Sequence, residues 1–163
     1  MKKILFVILM AMPCLVFAQK LGYINTQDVF MQMPEVTIAQ QKLDSIGKAY
    51  ENDIATMREE FARKYKEYQD QQNTLSESLR QMKEQELMQM QERTQTFIQN
   101  VQQEYELKQQ ELLAPIHEKL ANAIKKVGEE KGFTYIFDAT QIQYISPDAV
   151  NVEKDVKAKL GIK

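Results

Sequence analysis

The sequence predicts an α+β fold, predominantly α: a long antiparallel helical hairpin, a coiled-coil-like tentacle, inserted into a small β body formed from both termini. Three observations predict it. Apolar residues recur every three or four positions from Val36 to Tyr68 and again from Leu75 to Val127, which lays each series on one stripe of a helix. One cluster of turn and cap residues, Gln71 to Ser78, separates the two series. Short runs that read as strands, dense in β-branched and aromatic residues, lie near the two chain ends.

Met1-Lys2-Lys3 precedes an apolar run from Ile4 to Val16, and Val16-Phe17-Ala18 places small residues where a signal peptidase reads them. Residues 1–18 are therefore expected to be a signal peptide cleaved before Gln19; about 13 apolar residues are too few to span a bilayer. Cys14 is the one cysteine and leaves with the signal, so disulfides, zinc–thiolate sites and thiol catalysis are excluded from the exported chain. Without Lys2 and Lys3, 19 basic residues face 23 acidic ones, a formal charge near −4, and the two signs alternate along the arms. Nucleic acid is not an expected partner.

In order, Lys20 to Asn25 forms a strand with Leu21 and Tyr23 facing one way, and Asn25 or Thr26 caps a short helix carrying Val29, Phe30 and Met33 that Pro34 stops. The first arm follows with Val36, Ala39, Leu43, Ile46, Tyr50, Ile54, Met57, Phe61, Tyr65 and Tyr68 on its stripe. Gly47 within it is either a soft point or a tolerated exposed glycine. Thr74 with Glu77, and Ser78 with Gln81, have capping-box spacing at the tip near 72–78. The second arm carries Leu75, Leu79, Met82, Met90, Thr94, Phe97, Val101, Tyr105, Leu112, Ile116, Leu120, Ala123 and Val127. A turn near residue 75 sets residue 35 opposite 115, so Pro34 lies beside Pro115, where the second helix is interrupted and hinged. The hairpin then spans 35–115, about 57 Å per arm, and residues 19–34 and 116–163 make the body. Gly128 to Gly132 breaks the second arm. Phe133–Phe137 is the best strand in the chain, Asp138–Gln141 turns it into a second strand at Ile142–Ile145, and Asn151 caps a last helix with Val152, Val156 and Leu160 on one face.

The stripes divide between two uses. They pack the arms on each other, and toward the tip their aromatic and methionine content suits surfaces that meet varied apolar partners. The candidate binding residues are Tyr50, Ile54, Met57, Phe61, Tyr65 and Tyr68 on the first arm, with Met82, Met90, Phe97 and Val101 on the second. A body of three strands leaves open edges and little core, so it is expected to be completed by oligomerisation through Leu21, Tyr23, Phe30, Phe133, Tyr135, Phe137, Ile142 and Tyr144. Catalytic chemistry is absent from the pattern. His117 is the only histidine, the five glycines are scattered singly with no phosphate-cradling loop, and pairs such as Glu59-Glu60 and Glu129-Glu130 are solvated charges. No metal, nucleotide or other cofactor, and no enzymatic activity, is expected.

Lys20-Leu-Gly-Tyr-Ile-Asn-Thr-Gln-Asp-Val-Phe-Met-Gln-Met-Pro34 resembles the opening of the Skp (OmpH-like) periplasmic chaperone family, and Phe133 to Ala139 followed by Ile142–Ile145 and Asp148–Leu160 resembles its closing segment. The order of these pieces around a helical hairpin, rather than any one motif, carries the resemblance. It implies a periplasmic homotrimer with an intersubunit β-barrel body and three tentacles around a cavity. It also implies an ATP-independent holdase for unfolded outer-membrane β-barrel proteins. Well-known members of the family are basic; this chain is mildly acidic, which weakens the expectation of contact with a membrane or lipopolysaccharide. The alternative is a structural or adaptor coiled coil of the cell envelope, though such adaptors carry additional flanking domains for which this chain has no length.

Overall fold

The computed structural model describes residues 20–162; the expected signal segment, Cys14 and the cleavage position before Gln19 lie outside the described residues. The elements run β1 (Leu21–Ile24), α1 (Thr26–Met31), α2 (Pro34–Gln71), α3 (Glu77–Lys131), β2 (Tyr135–Asp138), β3 (Val150–Asn151) and α4 (Glu153–Leu160), with a 3-10 turn at Ala139–Gln141. The α+β, predominantly helical class read from the sequence is the class observed, with 38 residues in α2 and 55 in α3.

Local chemistry sets the ends of each helix. Asn25 caps α1, its side-chain oxygen accepting from the Asp28 amide. Pro34 does more than stop α1. It opens α2 as the first helical residue, a position where its missing N–H costs nothing, and it holds the preceding Met33 in an extended conformation. Neither expected capping box closes the tip. The Thr74 hydroxyl turns back to the Gln71 carbonyl at 2.8 Å, and Ser78 already lies inside α3. Ser76 is the cap, accepting from the Leu79 amide at 3.4 Å. The break expected at Gly128–Gly132 falls at its far end. Gly128 stays helical, and Gly132, at φ 69°, takes the left-handed conformation that ends α3. The Phe133 amide then bonds back to the Gly128 carbonyl at 2.9 Å.

Two further expectations are corrected. The helix is not interrupted at Pro115: α3 continues through it, losing one internal hydrogen bond. The arms are also displaced in register. Lys64 meets Glu86 and Tyr68 meets Glu84 near the tip, but at the base Glu35 pairs with Lys119 rather than facing Pro115.

The sheet is parallel throughout, ordered β2-β1-β3. β1 aligns Leu21 with Tyr135 and Ile24 with Asp138 on one side, and Gly22 with Val150 on the other. The second strand expected at Ile142–Ile145 does not form. Asp138 accepts from the Thr140 amide and diverts the chain into the 3-10 turn, and no neighbouring strand lies antiparallel to pair with 142–145. The third strand is instead the two-residue β3, which runs into α4 after the Asn151 side chain accepts from the Glu153 amide.

One core results. Ile24 from β1, Val29, Phe30 and Met33 around α1, Val36 and Ala39 at the base of α2, Ile116, Leu120, Ala123 and Val127 at the end of α3, and Val152 and Val156 at α4 are all buried together. Gly22 sits where this core is tightest. A Cβ there would lie 3.0 Å from the Phe133 ring and 3.2 Å from Val152, which is itself fully buried. Gly22→Ala is therefore expected to cost about 1–3 kcal/mol of stability, measured as a lowered urea midpoint.

Candidate functional site

Two surfaces remain after the core is accounted for: the flanks of the hairpin and the outer face of the sheet.

Along the hairpin, most of the apolar stripe lies in the seam between the arms. Val101 and Leu87 are buried there, and Tyr50, Ile54, Met57, Phe61, Tyr68, Met90 and Phe97 are half-buried. Thr94, also in the seam, satisfies its hydroxyl on the Met90 carbonyl at 2.9 Å. Tyr65 is exposed and stacks on Phe61 with ring centres 5.9 Å apart. Met82 is exposed as well, because at about 100° per residue it lies well round α3 from the row through Leu87, Met90, Thr94 and Val101. The position that carries the seam here is Leu87, outside the predicted set. The signal was available: counting back from Val127 in steps of three and four reaches Leu87, whereas counting forward from the tip carries a phase that the turn resets.

Open grooves flank the seam. One is lined by Arg58, Phe61, Met88, Gln91, Gln95 and Ile98; another by Met57, Arg93, Thr96, Phe97 and Asn100. Phe61, Met57 and Phe97 thus serve both seam and groove. Met88 and Leu107, among the most exposed apolar side chains of the arms, were not among the predicted residues; they lie off the main stripe, and only their lack of a helical partner marks them.

Near the tip the seam turns polar. The Lys64 ammonium bonds the Glu86 carboxylate at 2.7 Å across the arms, and the Tyr68 hydroxyl donates to Glu84. Lys64 holds the Glu86 carboxyl below its ordinary 4.5, and the same bond raises Lys64 above 10.5. The pair's contribution is thus complete above the ordinary carboxylate value and below the ordinary lysine value. It is lost as pH falls through the depressed Glu86 value. Glu35, depressed mainly by its bond from Lys119 at the base, acts in the same sense. The urea midpoint of the hairpin should hold from neutrality to about pH 5 and decline below it. A Glu86→Gln variant should start lower and lose less on acidification; an identical decline in that variant would exclude the pair as a contributor.

On the body, the outer face of the sheet carries Leu21, Tyr23, Tyr135 and Phe137, with Tyr135 and Phe137 stacked at 5.9 Å. The unpaired stretch 142–149 extends it, forming an apolar groove from Leu21, Tyr23, Phe137, Ile142, Tyr144 and Ile145, with Tyr144 77% exposed. Phe30 and Phe133 do not belong to this face. Phe30 is buried and stacks on His117 at 4.2 Å, which gives that histidine a packing role, and Phe133 closes the core of the chain beneath a Lys20 ammonium. Their side chains sit on the inner side of the layer because helices α1 and α3 cover it.

Among the described residues there is no buried polar side chain, no cluster able to hold a metal ion, and no helix long and apolar enough to cross a membrane.

Comparison with known proteins agrees with this geometry. A family model described as "Outer membrane protein (OmpH-like)" matches residues 20–160. Chaperone protein Skp of Pectobacterium atrosepticum is 24% identical over 139 residues, covering 85% of this chain and 84% of that protein. Chaperone protein Skp of Yersinia enterocolitica is 25% identical over 143 residues, covering 86% and 87%. A crystal structure of an OmpH-like protein from Caulobacter crescentus superimposes with a TM-score of 0.77 at 15% identity, covering 87% of this chain and 83% of that one, which is a likeness of fold.

Proposed function

This chain belongs to the OmpH-like family, and from that premise we propose that it is an exported, ATP-independent holdase chaperone of the periplasm whose clients are unfolded outer-membrane β-barrel proteins. The observation that carries this reading is the pair of apolar grooves on a hairpin held clear of the body, with Phe61, Met88 and Ile98 on one flank and Met57 and Phe97 on another. Such grooves are shallow and open. They offer many weak apolar contacts and no deep pocket, which is what a binder of diverse unfolded segments needs if it is also to release them. By binding the unfolded state it competes with aggregation through mass action, and no nucleotide is required.

The body assembles three copies through the outer sheet face, with Leu21, Tyr23, Tyr135, Phe137, Ile142 and Tyr144 passing from solvent into subunit contacts. The unpaired stretch 142–149 supplies backbone for intersubunit pairing. Three hairpins then surround one cavity. The client-contact residues are those of the arms: Tyr50, Ile54, Met57, Phe61, Tyr65 and Tyr68 with Met82, Met90, Phe97 and Val101, joined by Met88 and Ile98. Val101, buried in the seam, contributes by holding the arms together. The chain acts as a binding protein and not as an enzyme.

Dilution of a urea-unfolded outer-membrane barrel protein into neutral buffer tests the reading. Light scattering should be suppressed at about one assembly per client. An envelope spacer of the same shape would leave the client to aggregate.

A further inference from the structure

We propose that Met88 is a reversible oxidation site that sets how much client the arms can hold; the proposal rests on the holdase reading above. The described residues contain no cysteine, so thioethers are the sulfur groups open to oxidation. The methionines there differ sharply in access. Met33 is 1% exposed within the core, Met57 and Met90 are half-buried in the seam, and Met31, Met82 and Met88 are 60%, 57% and 70% exposed. Met88 is the most exposed of them and is also a wall of a groove, beside Phe61 and Ile98. Met82 stands nearer the tip on the same helix, and Met31 lies on the body away from the arms.

The reactant is a two-electron oxidant of the peroxide or hypohalous-acid class. With a peroxide, the thioether sulfur attacks one oxygen, an S–O bond forms as the O–O bond breaks, and the peroxide is reduced to water. The sulfur loses two electrons and becomes a sulfoxide. An adaptable apolar wall becomes a polar, strongly hydrogen-bonding one, and a methionine sulfoxide reductase restores it. A groove that gathers apolar segments through Phe61, Met88 and Ile98 loses its most accessible member.

Graded hydrogen peroxide treatment tests this, with sulfoxide mapped by mass spectrometry and helicity followed by circular dichroism. Met88 should convert among the first, with Met31 and Met82, and Met33 last. At a dose that leaves helicity unchanged, the amount of unfolded barrel protein kept soluble should fall at least about twofold. Each variant is compared with its own untreated sample. Met88→Leu should remove most of that loss, Met88→Leu with Met82→Leu should remove more, and Met31→Leu should remove none. Conversion of Met33 before Met88, undiminished capacity after Met88 is oxidised, or an equal loss in Met88→Leu would overturn the proposal alone. Untreated protein that leaves the client to aggregate would overturn the holdase reading, and this proposal with it.

Discussion

Replacing Tyr135 and Phe137 together by Asp should dissociate the proposed three-copy assembly. Both rings stand on the outer face of β2, about half exposed in the single chain, and stack on each other rather than on the core. Burial of each in a subunit contact is worth about 2 kcal/mol or more per chain. Losing both, and placing carboxylates at that contact, should weaken association by about a thousandfold or more. The protomer's own core lies on the other side of the sheet, in Ile24, Val152 and the helices, so the substitutions leave it intact. Light scattering coupled to gel filtration should show the mass of the wild-type assembly fall to that of one chain, with a lowered thermal midpoint. An unchanged assembly mass would remove the outer sheet face from the interface.

The second large effect belongs to the arms. Phe61, Tyr65 and Phe97 changed together to Ser should raise the chaperone concentration needed for half suppression of aggregation by about tenfold or more, since each lost ring removes roughly 1 kcal/mol or more of client contact. Tyr65 is free to meet a client, and Phe61 and Phe97 open into grooves on different flanks of the hairpin. The assembly should persist, because the body contributes none of these residues. Phe61 and Phe97 also fill the seam, so the tip should lose some helicity on warming. Tyr65→Ser alone separates the two effects: it should leave helicity intact and still reduce suppression. Unchanged suppression in the triple variant would move the client contacts elsewhere on the arms.

The helices were legible because their signal is long. Apolar recurrence over helices of 38 and 55 residues cannot be mistaken for a strand, and Asn25, Pro34 and Gly132 punctuate their ends by simple backbone chemistry. What failed was short or depended on phase. β3 is two residues, Val150–Asn151, and a strand of that length has no periodicity to read. Ile142–Ile145 has the composition of a strand yet forms none within one chain, because strand formation depends on a neighbour as much as on residue type. The axial register of the arms was not legible, because it is set where the tip turn closes and by cross-arm pairs such as Glu35 with Lys119, neither of which residue spacing fixes. The tip turn resets the helical phase, so a count forward from it reaches Met82 where the seam holds Leu87. For the site, sequence pattern found the stripe but not its division, because residues that face a partner helix and residues that face a groove share the same spacing.

A holdase of this build needs sheltered volume between copies of the chain, and the mass of the client complex tests for it most directly. Native mass spectrometry of the protein mixed with a freshly diluted outer-membrane barrel protein should show three copies of the mature chain carrying one client, with the free protein also at three copies. A folded single chain that passes the client over, or a complex in which the client binds one chain with no others present, would contradict it.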